Sequence, residues 1–345
     1  MAISSNFLPI LVVILVSFPS KTKSESECEP NNGREGCRMN KEEALVLKLI
    51  GIASILGSSM IGVCLPLFSR TIPALQPDTN LFVLVKAFAS GVILATGYMH
   101  VLPDSFQCLT SQCLPENPWR KFPFTTFVAM ISAILTLTVD SYAMSYFKKH
   151  KLENGDTNGV HKNVMLESQN CHLHGEVKSD DKASQLLRYR VVAQVLELGI
   201  VVHSVVIGLS MGASDNPCTI RPLVAAICFH QLFEGMGLGG CILQAEYGMR
   251  MKATLVLFFS ITTPFGIALG IGLSNVYSEN SPTALIVVGL LNACSAGLLN
   301  YMALVDLLAS DFMGNKLQNN MKLQSWAYLA VLLGAGGMSV MAIWA

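Results

Sequence analysis

Three stretches decide how this chain folds: Val191-Val192-Ala193-Gln194 through His203-Ser204-Val205-Val206-Ile207-Gly208, the turn Ala213-Ser214-Asp215-Asn216-Pro217-Cys218, and the return through His230-Gln231-Leu232-Phe233-Glu234-Gly235. Both arms are apolar and long enough for a bilayer span, which needs about 20 predominantly apolar residues. Each arm nevertheless carries a histidine, a small polar residue, three further residues and a glycine. Folded as an antiparallel hairpin between Asn216 and Pro217, the arms bring His203 level with His230 and set Glu234 opposite Gly199. At a rise of about 1.5 Å per residue the histidines lie on the order of 15 Å below the turn. That is near the midplane of a hydrocarbon layer about 30 Å thick.

Ionisable groups at that depth are expensive and mark substrate pathways unless they are paired. His230 and Glu234 stand at i,i+4 and share a helix face. Imidazole and carboxylate together suit zinc, iron or manganese. The binding forms are neutral His and ionised Glu, so protons compete with the metal. Ser204 and Gln231 adjoin the two histidines and serve as weak ligands or as groups that orient them. Without a metal, His203 would donate to a backbone carbonyl while His230 paired with Glu234. Three such residues converging at one depth in a repeated pattern favour the metal site.

Around this hairpin the composition is that of a polytopic membrane protein: 52% of the 345 residues are hydrophobic and 13% charged, with the apolar ones in long runs. The formal net charge is zero, and no basic face suited to nucleic acid is present. Besides the hairpin arms, hydropathy marks spans near Ala44–Phe68, Leu81–Leu102, Phe122–Phe147, Ala253–Leu273, Thr283–Leu308 and Ser325–Trp344. The total is eight, an all-α integral membrane protein. Residues 1–24 read as a secretory signal, residues 25–43 as an extracellular segment, 44–147 as spans 1–3 and 188–345 as spans 4–8.

Loop charges set the orientation. Arg70, Lys86, the Lys148–Arg190 stretch, Arg250, Lys252, Lys316 and Lys322 fall on one side, with Arg120, Lys121 and Arg221 on the other. The positive side is cytoplasmic, so both mature termini are extracellular. Cys28, Cys37, Cys108 and Cys113 then face an oxidising compartment and are candidates for disulfides of undetermined connectivity. Cys64, Cys228, Cys241 and Cys294 lie in apolar runs and read as packing residues.

The connection 148–187 is too polar to bury a core and is expected to be disordered and cytosolic. Within it His161, Cys171, His172 and His174 are metal-binding candidates by composition. His100 and Asp104 sit at the outer end of the second span, again i,i+4, where they could take in an ion. Asp140 in the third span and Glu197 in the fourth could guide it inward, and Asp306 is near the inner interface. Gly199, Gly208, Gly212, Gly235, Gly237, Gly239 and Gly240 permit close helix approach, and Pro264 should kink the sixth span. Gly208-Leu209-Ser210-Met211-Gly212 matches a nucleophile elbow, but that motif needs a strand–turn–helix context. No H-E-x-x-H, Walker A or paired His-box is present, which argues against a zinc protease, an ATP-driven pump and a di-iron desaturase.

His203–Ser210 and His230–Gly235 resemble the fourth- and fifth-helix signatures of ZIP metal transporters. Ala95-Thr96-Gly97-Tyr98-Met99-His100-Val101-Leu102-Pro103-Asp104-Ser105-Phe106 and Thr138-Val139-Asp140-Ser141 are similar to the second and third helices of its plant zinc/iron-regulated branch. The resemblance covers essentially the whole mature chain. It implies eight transmembrane helices in a 3+2+3 inverted-repeat arrangement and no cofactor. It also implies import of a divalent metal into the cytosol, across the plasma membrane, by a homodimer with an elevator-like transport unit. By matched positions His203, Ser204, His230, Gln231 and Glu234 form the transport site, while His100, Asp104 and Asp140 serve intake, selectivity or passage. Relatives with a two-metal centre carry additional carboxylates where this chain has Ile207 and Gln231. The alternatives using the same ligands are a membrane-embedded metallohydrolase, which needs an open coordination position and a general base, and a metal-sensing receptor.

Overall fold

The computed structural model describes residues 41–68, 79–155, 173–274 and 281–341. Among them the secondary structure is helical throughout, without strands. Eight helices are long and apolar enough to cross a membrane, in line with the sequence reading. They are α1 (Lys41–Phe68), α2 (Asn80–Leu109), α3 (Phe124–Gly155, spanning over Phe124–Ala143), α4 (Leu173–Ala213, spanning over Leu186–Ala213), α5 (Pro217–Gln244), α6 (Met249–Leu273), α7 (Pro282–Phe312) and α8 (Met321–Met341). The turn of the central hairpin folds where its residues dictate. Asn216 caps α5 by accepting from the Cys218 amide at 3.0 Å. Pro217 fills the first helical position, where its missing N–H is no loss. Ser281 and Pro282 start α7 in the same way.

Two boundaries differ from expectation. Much of the polar connection is helical: α3 runs on to Gly155 and α4 begins at Leu173. The added residues are rich in Lys, Leu, Glu, Gln and Arg, good helix formers, and lengthening an existing helix needs no new nucleus. His174 falls in the first turn of α4. His161, Cys171 and His172 lie outside the described residues, as do residues 1–40 with the signal segment, Cys28 and Cys37. The second difference is in α2, which continues past Leu102 to Leu109, so His100 and Asp104 lie inside it. A wide π-type turn over Thr96–Val101 precedes Pro103. Such local widening accommodates a proline in a membrane helix.

Cys113, one of the candidates, and Cys218 are both disulfide-bonded. Cys108 is on the last turn of α2 against Gly289 of α7, while Cys113 is in the turn beyond the helix. Cys64, Cys228, Cys241 and Cys294 remain thiols within the helices.

The helices form two groups of four. In one, α1 packs chiefly on α5 and α4 on α6, closed by α1–α6 and α4–α5 contacts. In the other, α2 packs on α8 and α3 on α7, closed by contacts between α2 and α7. The groups meet mainly where α4 lies on α7 and α2 on α5. Exchanging α1–α3 with α6–α8, and α4 with α5, maps these principal partners onto themselves. The arms of the hairpin are therefore not each other's main neighbours. Gly199 faces Leu298 and Leu299 of α7 rather than Glu234, and its carbonyl accepts from Ser295 Oγ at 2.9 Å. What draws α4 away is a small-residue crossing: a Cβ on Gly208 would stand 2.6 Å from the Thr263 carbonyl oxygen, and one on Gly212 2.3 Å from that of Ile267. The elbow-like Gly208–Gly212 motif is thus helix-packing surface on α6.

Candidate metal centre

His203 on α4 and His230 on α5 come together as the spacing predicts, with ring centres 5.2 Å apart. His100 joins them from α2, at 5.6 Å from His203 and 6.0 Å from His230. It is therefore part of the central cluster and not a separate outer site; the extension of α2 and its wide turn carry it there. Three imidazoles on one tetrahedral zinc, with Zn–N of about 2.0–2.1 Å, would place their ring centres roughly 5 Å apart. The triangle here is slightly wider. Among the described residues no three His, Cys, Asp or Glu side chains form a closed metal-holding set, so gripping an ion requires the rings to draw in.

Glu234 has no exposed surface, and its Oε2 lies 3.1 Å from His230 Nε2. His203, Ser204, His230 and Gln231 are each at most 2% exposed. Both nitrogens of His203, Ser204 Oγ, His230 Nε2 and both oxygens of Glu234 are buried without a hydrogen-bond partner. Buried polar atoms are normally satisfied, and each one left alone costs about 1–3 kcal/mol. So many at one place, on two helices, call for a ligand. The metal-free scheme is not met: His230 Nε2 stands 3.1 Å from Glu234 Oε2 without a hydrogen bond between them, and His203 donates to no carbonyl.

Gln231 has a different occupation. Its Nε2 donates to Ser59 Oγ of α1 at 3.2 Å and to Thr263 Oγ1 of α6 at 2.9 Å, tying three helices of one group together. Thr96, the first residue of the wide turn, has its Oγ1 3.4 Å from His230 Nδ1.

The other candidates spread along the axis. Asp104 is half-buried one turn beyond His100. Toward the opposite end from Asp104, Asp140 Oδ2 accepts from the Tyr301 hydroxyl at 3.4 Å while its Oδ1 is unpartnered, and Glu197 is buried with Oε1 unpartnered. Sequence reasoning missed the polar links around them. Lys86, counted there among the loop charges, is buried in α2 and bonds Asp311 of α7 at 2.8 Å and Gln244 of α5 at 3.1 Å. Asp306 is buried too and accepts from Arg188 of α4 at 3.3 Å. The signal was available: Lys86 and Asp311 are charges inside apolar runs, the feature that singled out Glu234.

Comparison with known proteins accords with this geometry. Residues 45–342 match the family described as ZIP Zinc transporter. The chain belongs to that family. It is 64% identical to Fe(2+) transport protein 1 of Oryza sativa subsp. japonica, over 90% of this chain and 87% of the relative. It is 57% identical to Fe(2+) transport protein 1 of Arabidopsis thaliana, over 97% and 96%. Zinc transporter 7 of Arabidopsis thaliana is 56% identical, over 98% of each. This ZIP protein is thus a multi-pass membrane transporter of divalent metal and not an enzyme; the metallohydrolase and receptor readings gain no support.

Proposed function

We propose that this ZIP protein imports a divalent transition metal into the cytosol, zinc first with iron and manganese close behind, through His203, His230 and Glu234 with His100 as a further donor. The reading rests on the cluster of buried, unpartnered donor atoms on α4 and α5, with the His100 ring of α2 beside them, where the two helix groups meet. Three neutral imidazoles and one carboxylate leave part of the ion's charge unneutralised, so capture stays reversible. A closed thiolate site would hold zinc too firmly for release. Ser204 lies beside His203 with its hydroxyl unpartnered. Asp104 outside the cluster and Glu197 and Asp140 inside it mark intake and exit. Gln231 acts by bracing α5 rather than as a ligand.

The same reading takes the α1/α4/α5/α6 group as the part that moves against the other four helices in a 3+2+3 inverted repeat, supported by the self-mapping pattern of helix partners. Disulfides at Cys113 and Cys218 support an extracytoplasmic location for the α2–α3 and α4–α5 turns. With eight spans, both termini are then extracellular. The plasma membrane and a homodimer complete the proposal.

The test is uptake of zinc by the purified full chain in lipid vesicles under a metal gradient, with ferrous iron and manganese as competitors. Zinc flux, inhibited by both and weaker in more acidic medium, is expected because protons compete for the ligands. No flux of any of the three metals would overturn the reading.

A further inference from the structure

We infer that Thr96 is a positioning residue that fixes the tautomer of His230, so that Nε2 presents its lone pair to the transported metal. The inference rests on the proposed transport role of His230. Of the four imidazole nitrogens on His203 and His230, three have no hydrogen-bond partner, and only His230 Nδ1 has one. That partner is the hydroxyl of Thr96, which is fully buried.

A threonine hydroxyl has one proton and two lone pairs. Thr96 directs its proton to the Val92 carbonyl of its own helix, at 3.0 Å. With its proton held there, Thr96 offers His230 only a lone pair, and Nδ1 is then the nitrogen that carries hydrogen. A neutral imidazole has one N–H, so Nε2 is left as the basic atom. Nε2 is also the nitrogen 3.1 Å from Glu234 Oε2. The threonine thus leaves two lone-pair-bearing atoms face to face, an arrangement that a cation between them relieves. The opposite tautomer would turn an N–H on the carboxylate and close the site with a hydrogen bond.

Thr96 is on α2 and His230 on α5, so this bond crosses from one helix group to the other. When the groups shift, the oxygen leaves Nδ1 and the tautomer is no longer held. The same contact that prepares His230 for capture is then withdrawn for release. Thr96 also begins the wide turn that carries His100, so a single stretch of α2 supplies one imidazole and sets another.

The experiment compares Thr96→Val and Thr96→Ser with the unmodified full chain in vesicles, using zinc alone as the probe. Groups that orient a metal-binding histidine change affinity by about 10–100-fold. Thr96→Val should therefore raise the KM for zinc at least about tenfold, with maximal rate held within about twofold, while Thr96→Ser should stay near the unmodified protein. Nitrogen-15 NMR of histidine-labelled protein in nanodiscs gives a readout that a purely structural threonine would not move. His230 should show Nδ1–H in the unmodified chain and a mixture of tautomers in Thr96→Val. A well-inserted Thr96→Val with unchanged KM would overturn the inference, as would Thr96→Ser impaired as badly as Thr96→Val. If Thr96→Val does not insert, an Nε2–H signal from His230 in the unmodified chain overturns it alone, and Nδ1–H sustains it. Zinc flux by the unmodified protein tests the transport reading separately.

Discussion

The seams inside the two helix groups differ in kind from the seam between them. Inside, several glycines set backbone against backbone, beside others such as Gly51 and Gly97 that meet side chains. A Cβ on Gly62 of α1 would stand 2.3 Å from the Leu232 carbonyl oxygen of α5, and one on Gly91 of α2 2.2 Å from that of Val331 of α8. Gly297 of α7 lies as close to the Ala129 carbonyl of α3. Between the groups, glycines meet side chains alone: Gly199 meets Leu298 and Leu299, and Gly237 meets Ile93 and Ala89. Lipid offers no hydrophobic drive for helices to associate, so close van der Waals packing and interhelical hydrogen bonds hold them. Interlocked backbones are therefore the rigid joints, and the side-chain seam is where relative motion is cheapest. The donor cluster sits on that second seam, with His100 from one group and His203, His230 and Glu234 from the other.

The contrast can be broken most severely at its centre. Glu234→Ala should reduce metal uptake to background while leaving membrane insertion intact, measured by uptake in transport-deficient cells beside the amount of protein in the membrane fraction. Normal accumulation by that mutant would remove the basis for calling the seam a transport path. Next in size, Gly62→Ala and Gly199→Ala separate the two kinds of contact. The first overpacks a backbone joint and should destabilise by about 1–3 kcal/mol, read as a lower melting temperature in detergent. The second should melt close to the unmodified protein but transport more slowly, since only side chains have to give way. Equal losses of stability at both positions would erase the distinction.

The smallest effect is expected at the polar links that cross the seam away from the donor cluster. Arg188 to Asp306 and Lys86 to Gln244 each join one group to the other, whereas the ion pairs at the opposite face stay within one group. There Lys48 and Lys41 pair with Asp215, and Arg221 with Glu43. Arg188→Gln leaves Asp306 buried with a neutral partner and should change maximal rate by about two- to fivefold, since an ion pair with one partner over a third exposed is worth up to about 1 kcal/mol. Lys41→Gln, on an exposed pair, should have no measurable effect on rate.

The spans, their number and the level meeting of His203 with His230 were legible because each rests on local quantities: apolar run length, helical rise and turn chemistry at Asn216-Pro217. The i,i+4 pairing of His230 with Glu234 is equally local. What depended on rotation and on neighbours distant in sequence was not legible. Gly199 pointed at α7 because the Gly208/Gly212 crossing with α6 rotates α4 away from its hairpin mate, and no hairpin arithmetic contains that. His100 reached the centre through a wide turn whose signal, a proline seven residues after Thr96, gives the strain but not its direction. Cys108 and Cys113 are equivalent by spacing, and no local pattern singled out Cys218, at the start of α5, as a disulfide-bonded residue.

The π-type turn over Thr96–Val101 holds one residue more than an α-helical turn of the same rise would. At 3.6 residues per turn, one residue is a rotation of about 100°. The two halves of α2 are therefore indexed differently: the half before Thr96 keeps Gly91 against α8, and the half after it swings His100 inward. Deleting a single residue between Thr96 and His100 would leave an ordinary, straighter helix of nearly the same length. Its distal half would be turned by about a quarter-circle, aiming that imidazole away from its companions. Protrusion of one extra residue, rather than any change of side chain, is what lets one helix serve as wall and ligand at once.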